Sequence, residues 1–334
     1  MQKSLDVKIK RIFADQNCRD FILADAKDAD MAFGLAAPGK NAGETSYRTL
    51  DQYREQIRLI IEQGLVDIVL MSASTSEILT VEEHRFDNSP ITPAIRANDT
   101  TDIWLAGAEG VYGQEPSRCF RTATLDDTRL RNDISCRRNG TDLGLYSITF
   151  NNIVEYDREA LTAYKEFRQE AELKGFRHFL EVFSPNIAGL NCPKDIPAFV
   201  NNHIVRTLAG VTSKERPVFL KIPYYGPAAM EALARYDSRL IVGILGGSEG
   251  TAFDAFQMLA DAKKYGARVA LYGRKINHSE HQLTFIKYLR LVADDDIYPQ
   301  EAVYAYHSEL TKLRIKPHRT LDDDLCRSEF KSNY

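Results

Sequence analysis

The chain has 334 residues, of which 44% are hydrophobic and 27% are charged, an ordinary composition for a globular protein with a sizeable core. Its formal net charge of −4 gives no electrostatic reason to expect binding to nucleic acid or to an anionic membrane. The five cysteines are scattered through the chain, which predicts free thiols in a reducing compartment rather than a disulfide scaffold. The first ten residues lack the apolar core of a signal peptide, so a cytoplasmic protein is expected.

Apolar, strand-like runs alternate with amphipathic helical patterns through most of the chain. The predicted strands cover residues 21–24, 66–71, 102–106, 143–149, 177–182, 218–222, 240–245 and 268–271. The predicted helices cover residues 52–63, 157–174, 196–208, 227–236, 251–265, 278–291 and 301–313. Eight strands with helices between them predict a (β/α)8 TIM barrel formed by a single domain over residues 1–334. A doubly wound open sheet is the alternative.

Two regions fall outside this alternation. Residues 109–139 are polar and are expected to form an insertion after the third strand, with a short hairpin at 119–125. The arginines of this region are Arg118, Arg121, Arg129, Arg131, Arg137 and Arg138. The insertion is either a solvated surface excursion or a lid or subunit contact that carries an arginine to an anionic substrate. Residues 294–334 are expected to form a helical C-terminal extension outside the barrel.

Lys221 is the unusual residue of the sixth strand. It lies among Val218, Phe219, Leu220 and Ile222, a run typical of a buried parallel strand. Burial lowers the pKa of a lysine and favours the neutral amine that Schiff-base chemistry requires. The alternative is that the side chain extends from the strand end to solvent.

The polar residues at strand ends converge on one mouth in a barrel of this kind. Asp25, Glu181 and Lys221 each follow an apolar run, and together they would place two carboxylates near an amine, a set suited to proton transfer. Tyr224 is a candidate acid for the formation of the Schiff base.

A second cluster of strand-end residues predicts an anion site. Gly246, Gly247 and Ser248 follow the seventh strand, and Gly273 and Arg274 follow the eighth. Glycines at a strand end allow backbone N–H groups to approach an anion, and an arginine adds a charge-assisted grip. Phosphate sites recur after these two strands of the barrel, so phosphate is the expected anion.

Three motifs carry a family resemblance: Lys-Ile-Pro-Tyr at 221–224, Gly-Gly at 246–247 and Gly-Arg-Lys-Ile at 273–276. In this order and at these strand ends, they resemble motifs of the archaeal-type class I fructose-bisphosphate aldolases. The superfamily of those enzymes includes deoxyribose-phosphate aldolase and tagatose-bisphosphate aldolase. Asp25 resembles the aspartate that ends strand one in that family, and Glu181 resembles the strand-five glutamate of its tagatose-type members.

The resemblance implies a class I, metal-independent aldehyde-lyase without a cofactor. Such an enzyme cleaves or forms a C–C bond in a phosphorylated keto sugar through a lysine Schiff base, and its relatives imply a homo-oligomer. The histidines do not form a His and carboxylate set at strand ends, which disfavours a metal-dependent aldolase.

The chain also differs from its relatives in ways that leave alternatives open. Phe183 stands where fructose-type enzymes place a tyrosine acid, and the fourth strand lacks the lysine of tagatose-type and deoxyribose-type sites. The base that drives bond cleavage is therefore either Glu181 or Asp25. A thiolase-like or transaldol-type transferase on the same barrel is one alternative function, and a non-catalytic sugar-phosphate-binding protein is another.

Overall fold

Eight parallel strands form a closed barrel. The computed structural model describes residues 1–15, 17–40, 46–104, 111–125, 137–187, 192–247 and 250–328. The barrel strands are β1 (Ile22–Lys27), β2 (Ile68–Met71), β3 (Thr92–Arg96), β4 (Leu143–Thr149), β5 (Arg177–Phe183), β6 (Leu220–Ile222), β7 (Val242–Leu245) and β8 (Val269–Tyr272). Each strand pairs with the next along the chain, and β8 pairs with β1. The (β/α)8 prediction is confirmed.

The helices surround this barrel. They are α1 (Ser4–Ala14), α2 (Asp30–Phe33), α3 (Leu50–Gln63), α4 (Ala73–Ser76), α5 (Val154–Leu173), α6 (Ile196–Ala209), α7 (Pro227–Tyr236), α8 (Ala252–Lys264), α9 (Arg274–Asn277), α10 (Gln282–Ala293), α11 (Pro299–Lys312) and α12 (Leu321–Leu325). The last two form the expected C-terminal extension. Across the described ranges, no helix combines the length and the apolar character that crossing a bilayer would require.

The third strand was predicted at the wrong place. β3 spans Thr92–Arg96, whereas residues 102–104 form a turn and residues 105 and 106 lie outside the described ranges. Pro93 is the second residue of β3 and lies opposite Val69 of β2. A proline has no N–H for a sheet ladder, and its presence in an apolar run argues against a central strand.

The strand pairing in the segment after β3 differs from the predicted hairpin. Residues Asp99–Thr100 form a short antiparallel pair with Cys119–Phe120. The two strands flank a long excursion rather than a tight turn within 119–125. Both short strands lie beside β4.

Arginines of the insertion bind α5 and the turn that follows it. Arg121 forms an ion pair with Glu170 at 2.6 Å, and the Arg118 guanidinium lies 4.5 Å from the centre of the Tyr156 ring. Arg137 is buried and donates a hydrogen bond to the Lys174 carbonyl at 2.8 Å. These three arginines therefore fasten the insertion to the outside of the barrel. Arg129 and Arg131 lie outside the described residues.

The core has an inner and an outer layer. Alternate strand residues such as Ile22, Ala24 and Phe179 fill the barrel interior, while Leu23 and Leu220 pack outward against the helices. Helix α1, which the sequence did not predict, closes the N-terminal end of the barrel with the fully buried Leu5. The opposite, C-terminal end stays open as the mouth.

Candidate active site

A cavity of about 620 Å³ occupies the mouth of the barrel. It is lined by residues from strand ends and the loops after them, including Asp28, Arg96, Glu181, Lys221, Gly246, Gly247, Gly273 and Arg274. Most of the residues predicted to form the site therefore meet in one cavity. Ser248 belongs to the same loop as Gly247 but lies outside the described residues.

Lys221 and Glu181 form a close pair at the base of this cavity. The strands β5 and β6 place them opposite each other, and Lys221 Nζ lies 2.5 Å from Glu181 Oε1. The Lys221 side chain is 9% exposed and that of Glu181 is 1% exposed. Lys221 does not extend to solvent, because its ammonium group is held inside the mouth by this carboxylate.

The second oxygen of Glu181 has its own partners. The Ser147 hydroxyl donates a hydrogen bond to Glu181 Oε2 at 2.6 Å, and Arg96 Nη2 lies 3.6 Å from the same oxygen. Arg96 in turn donates through Nε to Asp28 Oδ2 at 2.6 Å. Asp28, Arg96, Glu181 and Lys221 thus form a buried chain of alternating charge that lies across the mouth.

Sequence reasoning missed Arg96, Asp28 and Ser147. Arg96 lies at the end of the strand that Pro93 concealed. Ser147 lies one strand away from Glu181, in register with it, and its position on β4 was already in the predicted range. The usable signal is the two-residue period of a strand: Leu143 and Leu145 face the barrel interior, so residue 147 does as well.

The structure does not bring Asp25 together with Glu181 and Lys221. Ile22 and Ala24 face the interior, so Asp25 faces outward and pairs with Lys27, at 3.5 Å, behind the barrel wall. The inward carboxylate of this segment is Asp28, which lines the cavity. Strands buried on both faces give continuous apolar runs, which do not reveal which face an end residue takes.

Tyr224 is also placed elsewhere. It lines a neighbouring cavity of about 950 Å³ that is bordered by Asp261 and Arg327, and it does not line the cavity that contains Lys221. Burial raises the pKa of its hydroxyl to about 12. The structure therefore does not support Tyr224 as the acid for chemistry at Lys221.

The glycine loops form the side of the cavity near β7 and β8. Gly247 has a φ of 66°, a left-handed conformation that favours glycine. The Gly246 amide donates to the Leu271 carbonyl at 2.7 Å, so that N–H is already engaged. The Arg274 guanidinium lies 5.7 Å from the centre of the Phe33 ring, at the same edge of the cavity.

The segment between β3 and β4 covers part of the mouth. Asp102, Ile103 and Gly113 line the cavity. Asn186, in the loop after β5, donates to the Glu115 carbonyl at 2.7 Å and accepts from the Ser117 amide at 3.2 Å. The described insertion is therefore fastened to the rim of the mouth as well as to α5.

No metal-binding cluster is present in the part of the chain that the structure describes: no three or more His, Cys, Asp or Glu side chains gather where they would hold an ion. Metal independence itself stays a prediction.

The barrel is similar to those of several solved aldolase structures. An archaeal fructose 1,6-bisphosphate aldolase superposes with a TM-score of 0.60 at 16% identity, covering 87% of this chain and 100% of that one. An archaeal fructose-1,6-bisphosphate aldolase with its catalytic Lys covalently bound to the carbinolamine intermediate gives 0.61 at 17% identity, with the same coverage. Fructose-bisphosphate aldolase from Slackia heliotrinireducens gives 0.64 at 16% identity, covering 90% and 89%.

These comparisons agree with the family resemblance of the motifs at the level of the fold. No family model matches the chain, and no curated protein matches it. The matched region covers nearly the full length of these aldolase structures, so the chain shares their (β/α)8 fold.

Proposed function

We propose that this protein is a class I aldolase that cleaves or forms a C–C bond in a phosphorylated keto sugar through a Schiff base on Lys221. The observation that carries the proposal is the 2.5 Å contact between Lys221 Nζ and Glu181 Oε1 inside a buried mouth. The aldolase-like barrel supports it, as do the glycine loops and Arg274 on the same cavity.

The first stage makes the amine nucleophilic. Lys221 transfers a proton to Glu181 Oε1, and the neutral nitrogen attacks the substrate ketone to form a carbinolamine. The proton on Glu181 then leaves with the carbinolamine hydroxyl as water. The product is an iminium ion on Lys221 next to a Glu181 carboxylate.

The second stage breaks the carbon skeleton. Glu181, now ionised, takes the proton from the hydroxyl on the carbon beyond the bond that breaks. That carbon becomes an aldehyde, and the electrons of the broken bond move to the iminium nitrogen to give an enamine. Protonation of the enamine carbon and addition of water release the ketone product and regenerate Lys221. Asp25, the other candidate base, faces away from this reaction.

The anion site orients the substrate. The Gly246–Gly247 turn, the Gly273 turn and Arg274 form one side of the cavity, where a phosphate would receive a charge-assisted hydrogen bond from the guanidinium. Ser248 stays a predicted contributor to this site. Holding the phosphate there would place the carbonyl beside Lys221 and convert attack into an intramolecular step.

Borohydride trapping tests the proposal. The protein is incubated with dihydroxyacetone phosphate, fructose 1-phosphate or fructose 1,6-bisphosphate, then reduced, and the adduct is mapped by mass spectrometry. An adduct on Lys221 is expected, and it disappears in Lys221→Met but persists in Lys194→Met, which removes an exposed lysine near the neighbouring cavity.

Two results would contradict the proposal. One is the absence of an adduct with every phosphorylated ketone. The other is an adduct on Lys275, a lysine whose pKa is lowered to about 8, chiefly by burial, and which faces a separate cavity. Ligand binding without any adduct would favour the non-catalytic binder, and consumption of coenzyme A or a second aldehyde would favour the transferase.

A further inference from the structure

Ser147 is held in place independently of the charged groups around it. Its backbone N–H donates to Asn98 Oδ1 at 2.6 Å, and its carbonyl accepts from Asn98 Nδ2 at 2.8 Å. It lies directly opposite Glu181 in the register of β4 and β5. The backbone of Ser147 is therefore fixed by the sheet and by Asn98.

The direction of the hydrogen bonds around Ser147 follows from its partners. Arg96 Nη1 lies 3.2 Å from the Ser147 oxygen, and a guanidinium donates hydrogen bonds but accepts none. The hydroxyl must accept from Arg96, and its single proton is left for Glu181 Oε2, at 2.6 Å. Glu181 Oε2 is thereby fixed as a hydrogen-bond acceptor.

The remaining groups that face Glu181 reinforce this asymmetry. Arg96, from β3, approaches Oε2, and Lys221, from β6, approaches Oε1. Asp28, after β1, accepts a hydrogen bond from Arg96. A proton placed on Oε2 would oppose both the Ser147 hydroxyl proton and the Arg96 guanidinium, whereas a proton on Oε1 would face the lysine nitrogen that supplied it.

We infer that Ser147, supported by Arg96, is a positioning residue that directs the transferred proton to Glu181 Oε1, the oxygen beside the reacting nitrogen. The inference rests on the proposed function, in which Glu181 exchanges protons with Lys221. Ser147 acts through Glu181 and contacts no reacting atom. Glu181 Oε1 therefore receives the proton from Lys221. From the same oxygen, the proton can pass to the carbinolamine hydroxyl, which leaves as water.

The test measures the ionisation of Glu181 directly and needs no substrate. The infrared band of the protonated Glu181 carboxyl group, identified by its loss in Glu181→Gln, is titrated in the wild type and in Ser147→Ala. A hydrogen bond to the ionised form lowers the pKa of a carboxyl group, so removing the hydroxyl raises the titration midpoint by about one pH unit. Ser147→Thr, which keeps a hydroxyl, returns the midpoint to that of the wild type.

Ser76→Ala is the matched control. Ser76 is buried and its hydroxyl also donates at 2.6 Å, but to the carbonyl of Asn139. Ser76→Ala is expected to leave the titration midpoint of Glu181 unchanged. An unchanged midpoint in Ser147→Ala would overturn the inference, whatever the trapping experiment shows. An adduct on Lys221 together with an unchanged midpoint would retain the aldolase proposal and reject only the positioning role.

The same variants report on turnover once a substrate is known. The acid limb of the kcat/KM profile of Ser147→Ala shifts to higher pH by about one unit, because the pair must lose a proton before Lys221 can react. A fall in kcat at all pH values without that shift would indicate only structural damage and would count against the inference.

Discussion

Two buried lysines lie near the mouth of the barrel, and the face of the strand decides what each one can do. Lys221 faces inward with Glu181, whereas Lys27 faces outward with Asp25. Lys27 donates to Gln282 Oε1 at 2.8 Å. Burial lowers the pKa of Lys27 and raises that of Asp25 to about 6. Neither residue lines the cavity that contains Lys221, so we expect the outward pair to stabilise the fold.

Breaking the outward pair is expected to destabilise the fold. Lys27→Met leaves the Asp25 carboxyl buried without its partner and lowers the free energy of unfolding by about 3–5 kcal/mol. The double variant Asp25→Leu with Lys27→Met recovers most of this loss, because no charge is left to desolvate. Urea denaturation at neutral pH measures both, and equal stability of the single and double variants would contradict the assignment.

The pH dependence of Lys27→Met has a definite sign. In the folded state the pKa of Asp25 is raised above its usual value of 3.8, and losing Lys27 raises it further. The folded state then favours the neutral carboxyl group, so the stability deficit is smallest below pH 3.8 and grows as the pH rises through the folded-state pKa. A deficit that shrinks with rising pH would contradict this account.

The same face argument explains which site residues the sequence could reveal. Lys221 and Glu181 were found because a charge at the end of an apolar run is conspicuous on any face. Asp25 was expected in the mouth because an apolar run buried on both sides has no alternation to separate inward from outward positions. Ser147 was missed because a serine inside a strand resembles ordinary sheet surface until its neighbour across the ladder is known.

At the level of elements, the contact between the ends of β7 and β8 shapes the proposed anion site. A Cβ added to Gly246 would lie 2.1 Å from Cδ1 of Tyr272. The Tyr272 ring is fully buried, and its hydroxyl donates to the Ala255 carbonyl at 2.8 Å. The ring cannot move aside freely, so the loop after β7 must shift to accept a side chain.

Gly246→Ala is therefore expected to weaken substrate binding. The shifted loop no longer presents Gly247 beside Arg274, and KM for a reactive phosphorylated ketose rises by about tenfold, the loss of roughly one charge-assisted hydrogen bond. Gly210→Ala is the control, because its nearest neighbour would be the Thr207 carbonyl at 3.6 Å. An unchanged KM in Gly246→Ala would separate this loop from the anion site.

Element prediction succeeded for α7 and failed for β3 and α1. Helix α7 was predicted at its observed bounds, since Pro227 marks its first turn and the apolar spacing is regular. β3 was missed because it contains Pro93. Helix α1 was missed although Leu5, Ile9 and Ile12 repeat at helical spacing and pack against the barrel interior.

The whole molecule divides into a closed floor and an open mouth. Helix α1 seals the floor with Leu5, and Lys8 donates to the Phe21 carbonyl at 2.9 Å and to Asp67 Oδ2 at 2.8 Å. The polar chain of the candidate site lies at the opposite end of the barrel. The residues expected to stabilise the fold therefore lie at one end of the barrel and the candidate site lies at the other, which is the usual arrangement in this architecture.

Leu5→Ala tests this division. Truncating a fully buried leucine leaves a cavity and is expected to lower the free energy of unfolding by about 2–5 kcal/mol. The rate of adduct formation at Lys221 stays that of the wild type at temperatures where the variant is folded. Leu35→Ala, at a site that is 91% exposed, changes neither quantity. Slower adduct formation in Leu5→Ala would show that packing at the floor affects the reactivity of Lys221 at the mouth.

The buried chain from Asp28 through Arg96 and Glu181 to Lys221 contains two formal negative and two formal positive charges when all four groups are ionised. In the proposed reaction the iminium nitrogen inherits the positive charge of the lysine ammonium, and Glu181 returns to its anionic form. Schiff-base formation is therefore isocoulombic: the net charge of these four groups does not change. The surrounding dipoles, already oriented for the unliganded enzyme, need little reorganisation to stabilise the cation, which is how a preorganised site lowers a barrier.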